Sequence, residues 1–179
     1  MIDMDKPRFT TLAGMVFLAA ALRLIPHPPN FTPLAAMALF GGAYLSDKRL
    51  AFGLPLAALL LSDAVLGFYH GMIWVYGSFV LMVCLGLQLQ SRRRLRPIAG
   101  AALASSVLFF ALTNFGVWAS GDLYPRTFGG LGACYVAAIP FFQNTIAGDL
   151  VYTALLFGGF ALVEKKFPAL RESTAVGAV

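Results

Sequence analysis

The sequence predicts an all-α membrane protein, a bundle of six transmembrane helices with both termini in the cytoplasm. Of its 179 residues, 59% are hydrophobic and only 12% are charged, whereas about a quarter of a soluble domain is charged. Six apolar segments follow one another, and basic residues gather in alternate gaps between them. A chain of this length holds one integral membrane domain over 1–179 and leaves no room for a second.

The apolar segments have lengths typical of membrane-spanning helices. A hydrocarbon core about 30 Å thick requires roughly twenty helical residues, and five segments meet this requirement. The second segment is shorter, so a re-entrant segment is the alternative, but that alternative would reverse the side of every later loop. We therefore predict six spans, at 9–25, 31–46, 50–69, 72–89, 98–117 and 143–163.

The basic residues predict the orientation. Eleven of the thirteen Lys and Arg residues lie in gaps that six spans place on one side, and basic residues hold short loops in the cytoplasm. Only Arg23 and Arg126 lie toward the other side. This use of the positive charge argues against nucleic-acid binding and against removal of the first segment as a secretion signal. The predicted location is the bacterial inner membrane, with multiple spans.

The segment 118–142 is predicted to be a long outer loop. Its second half, TFGGLGACYVAAIPFF, is apolar but is interrupted by glycine and proline. A seventh span there would place Lys165 and Lys166 outside. We expect the loop to pack on the mouth of the bundle, because irregular backbone at membrane depth must be covered by protein or line a cavity.

Polar residues within the spans are predicted to meet in the outer half of the bundle. Asp63 and Asp149 are the two acids inside spans, and Asn114 and Asn144 fall at similar depths when helical rise is counted. Carboxylates at such depth usually face a cavity or a partner. The alternative is a structural role, in which hydrogen bonds to neighbouring helices or a contact with Arg23 stabilise the two acids.

The outer loops carry both histidines and many of the aromatic residues. Together with the polar layer they predict a ligand site open to the outside, although aromatic residues also form belts at membrane boundaries. The candidate substrate-binding residues are Arg23, His27, Asn30, Asp63, Tyr69, His70, Asn114, Trp118, Tyr124, Arg126, Asn144 and Asp149.

No motif of a known catalytic class occurs, so the protein is predicted to be a binding protein and not an enzyme. The first alternative is a membrane metal-handling protein or enzyme that uses His27, His70 and the outer carboxylates. His27, His70 and Cys134 are weak candidate metal ligands, because no zinc-like spacing connects them. The second alternative is a structural membrane subunit.

Several segments resemble the substrate-binding S component of energy-coupling-factor vitamin transporters. These are the first span LAGMVFLAAAL, the proline-led FTPLAAMALFGGAYL, LLLSDAVLGF with Asp63, and NTIAGDLVYTALLFGG with Asp149. More narrowly, RLIPHPPNFTPLAAMALFGGAYL, TNFGVW and PFFQNTIAGDL look like an uncharacterised bacterial membrane family associated with S components. The resemblance implies uptake of a vitamin-like molecule, bound from outside between the loops and spans four to six.

The resemblance also implies partners. A coupling membrane subunit with ATPases would drive release, and the first span would dock on it, but this span lacks a clean pair of alanines four residues apart. A solitary transporter is therefore the alternative. No cofactor is expected. Cobalamin is a candidate substrate by similarity to a solitary relative, with Cys134 or a histidine as the axial ligand, because Cys84 lies at the wrong depth.

Overall fold

The computed structural model describes residues 6–172, which form helices and turns without a strand. The predicted all-α class is therefore confirmed for this part of the chain. The first five and last seven residues lie outside the described part. The prediction that both termini are cytoplasmic falls on these residues and therefore stays a prediction. Five of the helices are α1 (Lys6–Leu22), α2 (Leu34–Tyr44), α3 (Lys48–Leu66), α4 (Met72–Gln88) and α5 (Leu95–Ser120).

The sixth helix, α6, is continuous over Phe128–Lys166. It contains a π-helical turn at Ala154–Gly158, and a 3-10 turn at Pro168–Leu170 follows its end. Helices α3, α5 and α6 are long and apolar enough to cross a membrane, while α2 and α4 are shorter apolar helices. Large apolar side chains such as Val65, Ile73 and Leu162 lie exposed on the outside of the bundle, as expected of a protein that faces lipid.

The predicted outer loop over 118–142 is wrong, because α5 continues to Ser120 and α6 begins at Phe128. Only a turn of seven residues separates them. The side chain of Thr127 caps α6 by accepting a hydrogen bond from the Gly130 amide (3.1 Å). A Cβ atom on Gly130 would lie 2.0 Å from the Pro125 carbonyl oxygen, so glycine permits the tight turn that starts the helix instead of breaking it.

Helix α2 lies at the centre of the bundle, and all eleven of its residues are buried. It is about 16 Å long by helical rise, shorter than the predicted span 31–46. Small residues allow its neighbours to approach closely. A Cβ on Gly42 would lie 2.5 Å from the Val83 carbonyl oxygen of α4, and one on Gly86 would lie 2.6 Å from that of Leu39.

The end of the bundle opposite to the turn 121–127 contains a cluster of two arginines and two glutamates, Arg8, Arg93, Glu164 and Glu172. Arg8 is buried and contacts Glu164 at 2.7 Å, and Arg93 contacts both carboxylate oxygens of Glu172 at 2.8 and 2.9 Å. These contacts join α1, the end of α6 and the turn between α4 and α5. The cluster uses two of the cations that the sequence assigns to topology alone.

Candidate functional site

Three turns, 23–33, 67–71 and 121–127, lie at the predicted outer end of the bundle. Contacts between neighbouring helices connect the three turns. Arg23, which follows α1, reaches Asp63 near the end of α3. Trp74 in the first turn of α4 donates a hydrogen bond to Ser120, the last residue of α5 (2.8 Å). This end therefore contains most of the residues predicted to bind a ligand.

Arg23 and Asp63 form a buried ion pair. The distance between Arg23 Nη2 and Asp63 Oδ1 is 2.6 Å, and the side chain of Asp63 is 0% exposed. Arg23 also donates a hydrogen bond to the Ser62 hydroxyl, and Tyr76 donates one to the other carboxylate oxygen of Asp63 (2.9 Å). Each charge thus has an opposite charge and a second polar contact, as burial in a low-dielectric interior requires.

This geometry matches the structural alternative for Asp63. The contacts bring together the end of α1, α3 and α4, and the buried Arg23 and Asp63 have little surface left for a ligand. Arg23, one of the two cations on the predicted outer side, is therefore the counter-charge of an internal acid. A ligand contact by either residue stays a prediction.

A pocket of about 370 Å³ opens between the turn 67–71, the start of α4 and the end of α5. Its volume is within the range typical of small-molecule sites. Tyr69 and His70 line it, as do several residues that the sequence did not indicate. We call this the outer pocket; its lining residues are Tyr69, His70, Gly71, Trp74, Val75, Thr113, Gly116, Val117, Ser120, Gly121 and Leu123.

The shape of the outer pocket depends on its glycines and on Trp74. Gly67 and Gly71 have φ of 97° and 86°, which lets the chain turn within five residues between α3 and α4. A Cβ on Gly116 would lie 2.3 Å from Cγ of Trp74, so glycine leaves the space that the indole fills. The hydrogen bond to Ser120 then fixes the indole as a wall of the pocket.

Tyr69 lines the outer pocket and lies close enough to the ion pair for the charges of Asp63 and Arg23 to affect its pKa. Burial raises the pKa of its phenol, the negative charge of Asp63 raises the pKa further, and Arg23 lowers it. The phenol therefore stays protonated at neutral pH and can donate a hydrogen bond within the pocket. An aromatic donor of this kind suits a ligand that stacks and accepts hydrogen bonds.

Asp149 is the second internal acid, and its environment differs from that of Asp63. It is buried and accepts a hydrogen bond from the Ser106 hydroxyl of α5 (2.6 Å). Within residues 6–172, no Lys, Arg or His nitrogen lies within 4.0 Å of it. It borders a cavity of about 10 Å³ together with Asn30, Thr145 and the start of α2, which is about the space of one water molecule.

The turn 23–33 covers this cavity and is attached to α6. Asn144 donates a hydrogen bond to the Pro29 carbonyl (3.0 Å), and the backbone at Phe31 and Thr32 packs against Gly148. Asn30 has a positive φ of 64°, which asparagine tolerates better than most residues. Asn30, Asn144 and Asp149 are therefore brought together, but the outer pocket is lined by other residues.

The other predicted residues do not line the outer pocket. Asn114 donates a hydrogen bond to the Phe110 carbonyl of its own helix (2.8 Å). Trp118 donates one to the Pro125 carbonyl (3.0 Å), and Arg126 donates to the carbonyls of Ala119 and Gly121. The side chains of Trp118 and Arg126 thus close the turn 121–127. Tyr124 lies partly buried in the same turn.

The weak candidate metal ligands are also separate. In the part of the chain that the structure describes, no three His, Cys, Asp or Glu residues are placed to hold a metal ion. His27 contacts the carbonyl of its neighbour Pro28, His70 lines the outer pocket, and Cys134 packs against the Asn114 carbonyl. This geometry gives the metal-handling alternative no support.

Nine of the eleven residues that line the outer pocket were not predicted from the sequence, among them Trp74, Thr113, Gly116 and Ser120. These four lie inside apolar helical segments, where Trp, Thr, Gly and Ser are common for packing reasons. The usable signal was their spacing. Thr113, Gly116 and Ser120 recur at intervals of three and four and so share one face of α5.

Apolar outer faces, three helices able to cross a membrane and a pocket at one end indicate a helical-bundle membrane protein. The chain belongs to the family of unknown function DUF6580, which matches residues 4–170. No curated protein and no solved structure matches the chain.

Proposed function

We propose that the protein is a multi-pass membrane protein that binds a small, vitamin-like organic molecule from the outside, for uptake. The observation that carries the proposal is the outer pocket, which combines aromatic walls with a few polar groups, Tyr69, His70 and Thr113. This composition is typical of small-molecule sites. The pocket lies at the end that the distribution of basic residues predicts to be outside.

The topology in the proposal is six spans with both termini in the cytoplasm of a bacterium. The succession of six helices supports it, and so do the contacts of Arg23 with Asp63 at one end of the bundle and of Arg8 with Glu164 at the other. So does the position of eleven exposed or ion-paired cations in the described residues, which lie at the end opposite to the outer pocket. They are Lys6, Arg8, Lys48, Arg49, Arg92, Arg93, Arg94, Arg96, Lys165, Lys166 and Arg171.

The proposed ligand is a small neutral or cationic heterocycle. Tyr69 and Trp74 offer aromatic surfaces, while His70 and Thr113 offer hydrogen bonds. A pocket of about 370 Å³ is at the lower end of the range for small-molecule sites. This volume favours a single heterocycle over the much larger cobalamin, which the resemblance also allowed.

The proposed partner is a coupling membrane subunit with ATPases, as the resemblance implies. The alternative is transport by the chain alone. Affinity purification of the tagged chain from its own host membranes separates the two. Recovery of ATPase subunits supports the coupled form, and their absence under conditions that preserve known complexes of this kind supports the solitary form.

Ligand binding in the outer pocket is testable with the two histidines of the chain as a matched pair, because His70 lines the pocket and His27 does not. We expect one compound from a panel of water-soluble vitamins and nucleobases to raise the thermal midpoint of the detergent-purified protein. His70→Ala should lower the affinity for that compound by about tenfold or more, because a hydrogen bond inside the pocket is lost. His27→Ala should leave the affinity unchanged, since His27 does not line the pocket.

Titration of the compound against the thermal midpoint gives the apparent affinity of each variant. Thr113→Val serves as a second pocket variant that keeps the side-chain volume. If no compound stabilises the protein, or if His27→Ala and His70→Ala weaken binding equally, the outer pocket is not the ligand site.

A further inference from the structure

The turn between α4 and α5 presents arginines on two sides. Arg93 is directed inward, where it contacts Glu172 and lies over the ring of Tyr44 at 4.9 Å. Its neighbours Arg92 and Arg94, and Arg96 in the first turn of α5, are all exposed. The single inward arginine therefore leaves three guanidinium groups facing away from the bundle. We call Arg92, Arg94 and Arg96 the arginine triad.

The acids at this end do not neutralise the triad. Within residues 6–172, the carboxylates that form ion pairs at this end are Glu164 and Glu172, and they contact Arg8 and Arg93. Asp47 uses one carboxylate oxygen to cap α3, accepting hydrogen bonds from the amides of Arg49 and Leu50. The triad is thus a patch of three positive charges without a carboxylate in ion-pair distance in the described chain.

Leu95 places the triad at the boundary of the apolar layer. It lies between Arg94 and Arg96, and 82% of it is exposed. The helix that begins with it, α5, is one of the three that are long and apolar enough to cross a membrane. An exposed leucine among arginines at the start of such a helix suits the region where headgroups meet acyl chains.

We propose that the arginine triad is a binding surface for the phosphate headgroups of anionic phospholipids, with Leu95 in contact with the upper acyl chains. Guanidinium groups bind phosphate oxygens through two parallel hydrogen bonds, which favours this occupant. A lipid also satisfies the apolar side chain between them, whereas an acidic protein segment would leave Leu95 in water. The surface lies at the opposite end from the outer pocket, so it does not depend on the proposed ligand.

The test measures binding of short-chain phosphatidylglycerol and phosphatidylcholine to the full-length protein in detergent at low salt, by native mass spectrometry. The wild-type protein should prefer phosphatidylglycerol. The triple variant Arg92→Gln, Arg94→Gln, Arg96→Gln should lose roughly a hundredfold of the affinity for it, at about one kcal/mol per basic residue. Affinity for phosphatidylcholine should change much less.

Two control variants separate the triad from net charge and from misfolding. The variant Lys48→Gln, Lys165→Gln, Lys166→Gln removes three exposed cations from other turns at the same end and should keep most of the preference. The variant with three Arg→Lys changes in the triad keeps the charges and should stay within about tenfold of wild type. Equal losses in the two glutamine variants, or no lipid preference in the wild-type protein, would overturn the proposal.

Discussion

Asp63→Asn is expected to lower the free energy of unfolding by about 3–5 kcal/mol, because it leaves the Arg23 guanidinium buried without its counter-charge. The pair has an N–O distance of 2.6 Å, and Asp63 has no exposed surface. The amide oxygen of Asn can still accept from Arg23 while its NH2 group donates to the Tyr76 hydroxyl, so both polar contacts can survive and the loss reports mainly on the missing charge. Unfolding in mixed micelles of increasing sodium dodecyl sulfate content measures the difference.

Asp149→Asn is the matched control, since it changes the other internal acid in the same way. No cation lies within 4.0 Å of Asp149 in residues 6–172, and its contact with Ser106 survives the exchange. We expect a cost below about 1 kcal/mol.

The double variant Arg23→Met, Asp63→Leu should recover most of the stability that Asp63→Asn loses, because removing both partners leaves no unpaired charge. Similar losses in Asp63→Asn and Asp149→Asn would contradict the ion-pair interpretation. So would a double variant that is no more stable than Asp63→Asn.

Gly42→Ala and Gly86→Ala are expected to destabilise the protein by about 3 kcal/mol or more each. The new methyl group would lie 2.5 Å and 2.6 Å, respectively, from a backbone carbonyl oxygen of the facing helix. Backbone cannot move aside as a side-chain tip can, so α2 and α4 must separate and lose packing along their contact. The same detergent titration measures the effect.

Gly77→Ala and Gly100→Ala provide the controls. Both glycines lie inside helices, and a Cβ at either position would meet nothing within 4 Å. Alanine there should be neutral or stabilise by up to about 1 kcal/mol through its helix propensity. If Gly42→Ala behaves like Gly77→Ala, the close approach of α2 and α4 is not a property of the protein in its membrane.

The positions of most helices could be predicted from apolar segments, but the end of α5 and the start of α6 within 118–142 could not. Glycines at 129, 130 and 132 and Pro140 are ordinarily signs of a loop. Here Gly130 permits a tight turn against the Pro125 carbonyl. Cys134 and Tyr135 pack along α5 and contact the carbonyls of Asn114 and Ala111, respectively. Only the neighbouring helix, which is tertiary information, makes a helix favourable in this segment.

The candidate site was predictable in location but not in detail. The sequence directed attention to Tyr69 and His70, which line the outer pocket, and named Arg23 as a partner for an internal acid. It could not separate the residues that close the turn 121–127, Trp118 and Arg126, from ligand contacts, because hydrogen bonds to backbone carbonyls leave no trace in sequence. The distribution of Lys and Arg also gave no warning that Arg8 and Arg93 are ion-paired.

The complete burial of α2 has a consequence for the biogenesis of the protein. With eleven residues and about 16 Å of length, α2 spans only half of a hydrocarbon core, and no side chain of it faces lipid. Such a segment gains little by entering lipid alone as it leaves the ribosome. We expect it to stay shielded by the insertion machinery until α3 and α4 have been made, so that α2 enters the membrane together with these two helices.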